Sequence, residues 1–292
     1  MIKSGSAIDG HTAWVALLGN PVGHSFSPAM HNAAFQAAGL NWAYGAYRVE
    51  ADRLGEAVRG LAALGFRGAN VTVPHKRAVL DVLDQIDERA ARIGAVNTIV
   101  FDEAGRATGY NTDSDGFIRG LQADGIDVAG RSILLLGAGG GARAVAFALI
   151  DEGVRQLTIV NRSREAAEGL MAELQAACTD KLDMQVINWD PAALRAAAAE
   201  AAIVINATSL GMSTQGLQTP YPIDPALWLC PGLFVADLVY QPRETVLLAA
   251  GRAMGCRGQN GLAMLLYQGV AAWERWTGCP APVDVMQRAL PF

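Results

Sequence analysis

The chain has 292 residues, 51% of them hydrophobic and 17% charged, which suits the cores of about two folded domains and is too apolar for a disordered chain. A formal net charge of -5, with no Lys/Arg block able to follow a phosphate backbone, argues against a nucleic-acid partner. Met1 to Thr12, MIKSGSAIDGHT, lacks the apolar core of a signal peptide, and the one long apolar stretch, Ile133 to Ile150, is broken by four glycines and Arg143, so no membrane span is expected.

The apolar run Trp14 to Leu18 predicts a strand ended by Gly19. Ser27-Pro28 then offers an N-cap and a proline at the first helical position, predicting a helix from Pro28 to about Ala38, stopped by Gly39. A strand near Tyr44 to Val49, an amphipathic helix from Asp52 to Leu64 and a strand from Gly68 to Val73, ended by Pro74, follow. This β-α repetition predicts a mainly parallel sheet with helical crossovers. In AVNTIVFDEAGRATGYNTDSDG two short strand-like runs flank the turn-forming DEAGR, and a domain boundary is placed near Asp113. A second βα series opens near Ser132, with strands at Ile133 to Leu136, Leu157 to Val160 and Ile203 to Asn206, the last preceded by an Ala-rich surface helix over Ala192 to Ala202. The fold class is therefore α/β with two α/β domains. Gly261 to Gly278 is helical in pattern, with Leu262, Leu265, Leu266 and Val270 at helical spacing, and could cap either domain.

Several stretches carry residues suited to chemistry. GNPVGHSFSPAMHN, from Gly19 to Asn32, sets two serines, two histidines and two prolines directly after a strand, as an ornate turn or as a polar wall for a ligand. ILLLGAGGGARAVAFAL has the layout of a dinucleotide-binding turn: a strand, Gly137-x-Gly139-x-x-Ala142, then an apolar helix whose exposed N–H groups suit a pyrophosphate. The alternative is a tight βα turn that binds nothing. After Leu157 to Val160 comes NRSRE, where an NAD site would place an acid against the ribose 2′-hydroxyl; Asn161, Arg162 and Ser163 suit a 2′-phosphate instead, which favours NADP unless Arg162 is a solvated cation offset by Glu165. Lys76, in NVTVPHK, and Asp113, in GYNTDSDG, could form an acid–base pair for hydride-transfer chemistry, although a lone lysine is usually a surface residue. His24, His31 and His75 lack metal-ligand spacing and read as polar packing or turn residues. Cys178, Cys230, Cys256 and Cys279 are widely separated and read as buried or incidental thiols in a reducing cytoplasm.

Taken in order, GNPVGHSFSPAMHN, GANVTVPHK, GAVNT, GYNTDSDG, GAGGGARA, NRS, INATSLGM, DLVYQPRETVLL and NGLAMLLYQG make the chain resemble the shikimate dehydrogenase family over about residues 11 to 290. The resemblance implies a substrate-binding domain over residues 1–113, a Rossmann-like NADP-binding domain over 114–258, an active site in the cleft between them, and a helical segment, 259–292, packed back on the first domain. It implies reversible reduction of 3-dehydroshikimate to shikimate by NADPH, a step toward the aromatic amino acids, with Lys76 and Asp113 as the catalytic pair. Ser25 and Ser27 would hold the substrate carboxylate; Asn70, Thr72, Asn97 and Gln268 match residues that bind ring hydroxyls or the carboxylate, and Tyr240 matches a substrate-side tyrosine. Gly137, Ala138, Gly139, Gly140, Gly141, Ala142, Asn161, Arg162, Ser163 and Thr208 match NADP contacts, and Met212 matches a residue lining the nicotinamide pocket. No metal is implied, and the expected assembly is a monomer or homodimer. Two features depart from the family's pattern. Ala166 stands where NADP members commonly carry a second basic residue, with Arg164 as a possible substitute, and the leader Met1 to His11 is somewhat long and has no assigned function. The alternatives are a quinate or quinate/shikimate dehydrogenase using NAD, opposed by Ser27 and by the missing acid after Val160; a paralogue acting on another cyclic hydroxy acid; and a non-catalytic sensor, opposed by the presence of both Lys76 and Asp113.

Overall fold

A computed structural model describes residues 8–178, 182–214 and 217–291. The leader's first seven residues, Met1 to Ala7, lie outside the described residues. The chain forms two compact units: unit 1 is Met1–Gly116 with Leu266–Phe292, and unit 2 is Phe117–Leu265.

Unit 1 runs β1 (Ala13–Gly19), α1 (Ser27–Ala37), β2 (Trp42–Arg48), α2 (Leu54–Ala63), β3 (Gly68–Val71), β4 (Gln85–Ile86), α3 (Glu88–Ile93), β5 (Thr98–Phe101), β6 (Ala107–Tyr110) and the start of α4 (Thr112–Ala123). Its sheet has the order β2-β1-β3-β5-β6-β4. The ladders β1–β2, β1–β3 and β4–β6 are parallel, while β3–β5 and β5–β6 are antiparallel, so the sheet is mixed. The interior strand β1 is buried from Val15 to Leu18, as a strand covered on both faces must be. On α2, Leu54, Val58 and Leu61 recur at helical spacing and pack on Ala16, Leu18 and Val71 in one core. The DEAGR turn closes the β5–β6 hairpin because Asp102 Oδ1 accepts the backbone N–H groups of Ala104 and Arg106, both at 2.9 Å.

Two local expectations are corrected here. The strand expected at Tyr44 to Val49 begins two residues earlier, at Trp42. The α1 N-cap is Phe26, with no side-chain cap bond, and Ser27 is already helical. Because Ser27 is already helical its hydroxyl does not cap, and it is buried facing Tyr44; Ser25 Oγ instead accepts the Ser27 backbone N–H at 3.2 Å.

Unit 2 contains β7 (Ser132–Leu136), α5 (Gly140–Asp151), β8 (Gln156–Val160), α6 (Arg164–Ala177), β9 (Asp183–Ile187), α7 (Pro191–Glu200), β10 (Ile203–Asn206), β11 (Ser213–Thr214), β12 (Leu217–Gln218), β13 (Phe234–Asp237), α8 (Val246–Ala253) and β14 (Arg257–Gln259). Its main sheet, β14-β13-β10-β7-β8-β9, is parallel throughout. Strand order reverses at β7, which has β8 on one side and β10 on the other; this is the switch point where doubly wound sheets bind dinucleotides. Ile133 to Leu136 are at most 1% exposed, and burial of each such side chain stabilises by about 1.5–3 kcal/mol. The Ala-rich α7 is no plain surface helix, because Leu194, Ala197 and Ala198 face the core.

The chain passes between the units inside α4 and inside α9 (Leu262–Thr277), where the sequence reading sets boundaries at 113 and 258. Residues 266–292, including α10 (Val283–Arg288), belong to unit 1, and there Phe35 of α1 stacks on Trp273 of α9 with ring centroids 4.8 Å apart.

Candidate functional site

In unit 1 the site is a chain of side chains bonded to one another. Lys76 follows β3, and its carbonyl oxygen accepts the Val96 N–H at 2.8 Å, which fixes the backbone beneath its side chain. Asn111 begins α4 by accepting the N–H groups of Asp113 and Ser114 at 3.1 and 3.4 Å, so Asp113 lies in the first helical turn and not in a linker. Lys76 Nζ donates to Asp113 Oδ2 at 2.6 Å, with the Asp113 side chain 9% and the Lys76 side chain 25% exposed. The opposite carboxylate oxygen, Oδ1, accepts from Asn97 Nδ2 at 2.9 Å. Asn97 is held in turn, since its Oδ1 accepts from the Thr112 backbone at 2.7 Å and from the hydroxyls of Thr98 and Thr112.

The same chain runs toward the opening motif. Asn70 Nδ2 donates to Asn97 O and to Thr98 Oγ1, both at 3.1 Å, and Asn70 Oδ1 accepts from Tyr44 Oη at 2.8 Å. Tyr44, Asn70, Asn97, Asp113 and Lys76 therefore form one hydrogen-bonded series, and the Ser27 hydroxyl faces its Tyr44 end. Burial pushes the Tyr44 phenol far above its ordinary range, opposed by Ser27. Thr72 is half-buried, and its methyl fills the space where Gly19 would carry a Cβ. Gln268 is buried on α9, against Gly116 of α4: a Cβ at Gly116 would lie 2.5 Å from the Gln268 backbone nitrogen, so only glycine allows this approach.

Unit 2 collects the residues expected at the cofactor, together with Tyr240. Gly137 has φ +117°, and a Cβ there would meet Ala207 O at 2.9 Å, so both conformation and space require glycine. A Cβ on Gly139 or Gly140 would meet nothing within 4 Å, so open space lies over the turn. The N-cap of α5 is Gly139, which supplies no side-chain acceptor, and Ala142 is buried below. A helix start without a side-chain cap under open space fits a pyrophosphate. Ala138 is half-buried beside this turn, and the Thr208 methyl would lie 3.0 Å from a Gly137 Cβ. Asn161 Nδ2 donates to Ser163 O at 2.9 Å, and Ser163 Oγ caps α6 by accepting Ala166 N–H at 3.2 Å. Arg164 pairs with Glu168 at 2.7 Å and donates to Asn188 Oδ1 at 3.0 Å. Arg162 is exposed and belongs to none of the ion pairs found among the described residues, which leaves its fork available to a 2′-phosphate. Met212 is 40% exposed, and Tyr240 is half-buried, with its phenol pushed up by burial.

Family models match three stretches of the chain: the shikimate dehydrogenase substrate binding domain at residues 17–99, shikimate / quinate 5-dehydrogenase at 121–214, and the shikimate 5'-dehydrogenase C-terminal domain at 261–290. Shikimate dehydrogenase (NADP(+)) of Moorella thermoacetica is 52% identical over 280 residues, 96% of this chain and 92% of that protein. The chain belongs to the shikimate dehydrogenase family. The enzyme of the same description from Symbiobacterium thermophilum is 48% identical over 99% of this chain and 97% of its own. The crystal structure of shikimate 5-dehydrogenase from Listeria monocytogenes, in complex with shikimate and NAD, has a TM-score of 0.89 at 37% identity, covering 98% of this chain and 99% of that one.

Around these shikimate dehydrogenase motifs the structure adds residues that the sequence did not single out. Thr98 and Thr112 lie inside the GAVNT and GYNTDSDG motifs, where the neighbouring Asn97 and Asp113 were the visible signal. Tyr44 had none: it pairs with Val15 across one side of β1, while Asn70 pairs with Leu17 across the other, so their meeting depends on strand order. His31 departs from polar packing. It stacks on Tyr44 at 4.7 Å, both ring nitrogens are buried without hydrogen-bond partners, and burial lowers its pKa to about 3. His75 Nε2 lies 2.8 Å from Val49 O, and His24 is exposed. The cysteines are free thiols, three half-buried and Cys279 exposed.

Proposed function

We infer that the chain catalyses the reversible, NADP-dependent reduction of 3-dehydroshikimate to shikimate. The observation that carries this reading is the 2.6 Å contact between Lys76 and Asp113, locked from behind by Asn97, in a chain 52% identical to a shikimate dehydrogenase (NADP(+)). NADPH, when bound, supplies the hydride. In this reading the Lys76 ammonium gives its proton to the substrate's carbonyl oxygen, which becomes the new alcohol, and the partly exposed amine regains a proton from water. In the oxidative direction the neutral amine takes the alcohol proton. Asp113 keeps the ammonium aimed, and Asn97 keeps Asp113 from turning away. Ser25 and Ser27 hold the carboxylate, while Asn70, Thr72, Asn97 and Gln268 bind ring hydroxyls or the carboxylate, with Tyr240 on the substrate side.

Gly137, Ala138, Gly139, Gly140, Gly141 and Ala142 would take the pyrophosphate, Arg162 the 2′-phosphate with Asn161 and Ser163 beside it, and Thr208 and Met212 the nicotinamide end. Arg164 can join them, because an exposed i,i+4 pair such as its contact with Glu168 is worth only about 0.3–0.5 kcal/mol. Among the described residues no helix is long and apolar enough to cross a membrane. The four free thiols suit a reducing cytoplasm.

Steady-state rates for shikimate and for quinate, each with NADP and with NAD, test the reading. The expected result is a kcat/KM for shikimate with NADP at least about tenfold above the other three combinations, an Arg–phosphate contact alone accounting for about 1.5–3 kcal/mol. A preference for quinate with NAD would overturn it.

A further inference from the structure

Unit 2 holds a buried carboxylate to which the reading above gives no role. Asp237, 2% exposed, ends β13 directly beside Asn206, which ends β10. Its Oδ1 accepts from Asn206 Nδ2 at 2.8 Å and from the Val239 backbone N–H at 3.0 Å, and its Oδ2 accepts from Thr245 Oγ1 at 2.6 Å. Each donor leads into a loop. Asn206 Nδ2 also donates to Leu210 O at 3.1 Å, and Asn206 Oδ1 accepts from Thr208 Oγ1 at 2.6 Å and Thr208 N at 3.1 Å, so Asn206 braces the 207–212 loop that ends in Met212. Val239 and Thr245 stand at the two ends of the segment that carries Tyr240.

The loops also touch one another, through Ser213 N–H donating to Gln241 O at 2.8 Å. The second loop is tight at its start, where Gly261 N–H donates to Val239 O at 3.2 Å and a Cβ on Gly261 would collide with Leu238 O. Burial pushes the Asp237 carboxyl up to about 6, opposed by the bonds from Thr245, Val239 and Asn206, and its titratable neighbour Tyr221 is pushed up by burial and by Asp237. A leucine would fill such a place without any desolvation cost. The charge is kept where two loops must be joined.

We propose that Asp237 is a positioning residue that fixes the Met212 loop and the Tyr240 loop in one joint geometry, without itself touching substrate or cofactor. The proposal rests on the roles given above to Met212 and Tyr240. Asparagine should substitute for it. Its Oδ1 can accept from Asn206 and Val239 as before, and its Nδ2 can donate to the Thr245 hydroxyl, which is able to accept. Alanine can do neither.

The test compares Asp237→Ala and Asp237→Asn in the full chain by hydrogen–deuterium exchange and by kinetics. In Asp237→Ala, exchange in 207–212 and 238–244 should quicken together by at least about tenfold while the 137–142 turn stays as in the wild type. Its kcat should fall at least about tenfold with the KM for NADP within about threefold. Asp237→Asn should keep kcat within about threefold, a rescue that a simple loss of packing would not give. If only α8 loosens, Asp237 merely supports the Thr245 cap and the proposal fails; it fails equally if Asn is as damaging as Ala, or if neither loop quickens. Quickened loops with an unchanged kcat would leave the anchor standing and overturn instead the roles of Met212 and Tyr240. Should Asp237→Ala not fold, Asn206→Ser removes the bonds to Leu210, Thr208 and Asp237 while Asp237 keeps those from Val239 and Thr245, and should quicken 207–212 but not 238–244; quickening of neither loop, or of both alike, contradicts the proposal.

Discussion

In unit 1 the polar residues of the site are bonded to one another, from Tyr44 through Asn70 and Asn97 to Asp113 and Lys76, whereas the Gly137 turn of unit 2 presents backbone under open space. Removing a side chain from the first leaves a buried partner unsatisfied, and the damage spreads along the series. On the proposed reading the second would be damaged by adding a side chain, or by removing Arg162, the exposed cation proposed for the 2′-phosphate. Substrate geometry would then depend on a network, and cofactor geometry on a turn.

The largest expected effect lies at the end of the network. Lys76→Ala should lower kcat at least about a hundredfold while KM stays within a few-fold, because the ammonium acts mainly in the transition state. A loss below fivefold would remove Lys76 from the chemistry. On the cofactor side, Arg162→Ala should raise the KM for NADP about tenfold and that for NAD less than twofold, since only NADP carries the 2′-phosphate. Equal losses with both cofactors would mean that Arg162 supports the fold.

Acid should separate the units. His31 in unit 1 is held neutral, its pKa lowered to about 3, so the unfolded chain binds its proton first and stability is lost as pH falls from about 6.5 toward 3. Asp237 in unit 2 acts in the opposite sense: its pKa is raised to about 6, so the folded form gains stability as pH falls from about 6 toward 3.8. His31→Phe keeps the ring stack and removes the titration. Its stability advantage over the wild type should grow by about 1.4 kcal/mol per pH unit below 6.5, read from denaturant melts at several pH values. Parallel pH profiles for the two proteins would show that His31 takes up its proton while folded.

The smallest effect is at the other end of the network. Tyr44→Phe deletes only the hydroxyl that donates to Asn70 and should raise the KM for shikimate about threefold to tenfold, with kcat within twofold. A change in kcat with KM unaltered would place Tyr44 with the proton-handling pair instead.

Much of unit 2 could be read in advance, because strand, glycine turn and helix follow one another in the chain: the strand expected at Ile203 to Asn206 matches β10, and Gly137 adopts the positive φ that its turn demands. Unit 1 was less legible. Its site joins residues from β2, β3, β5 and α4, and a hydrogen bond between Tyr44 and Asn70 follows only from the order β2-β1-β3. The exchange of roles between Ser25 and Ser27 was hidden for a similar reason. Ser27-Pro28 has the local form of a cap, but Ser27 is already inside the helix and its hydroxyl faces Tyr44, 17 positions away on β2. Asp237 opens the DLVYQPRETVLL motif, but Tyr240 was the residue singled out there, and a buried acid at a strand end reads as any strand terminus until its three donors are seen together.

The most direct test of the central claim, that Lys76 and Asp113 act as one proton-handling unit, is a double-mutant cycle on kcat with Lys76→Ala, Asp113→Asn and the two combined. If Asp113 works by aiming the Lys76 ammonium, the double variant should be no slower than Lys76→Ala alone, within about threefold. Losses that multiply, so that the double variant is slower by the product of the two single effects, would mean that the residues act independently and would contradict the account.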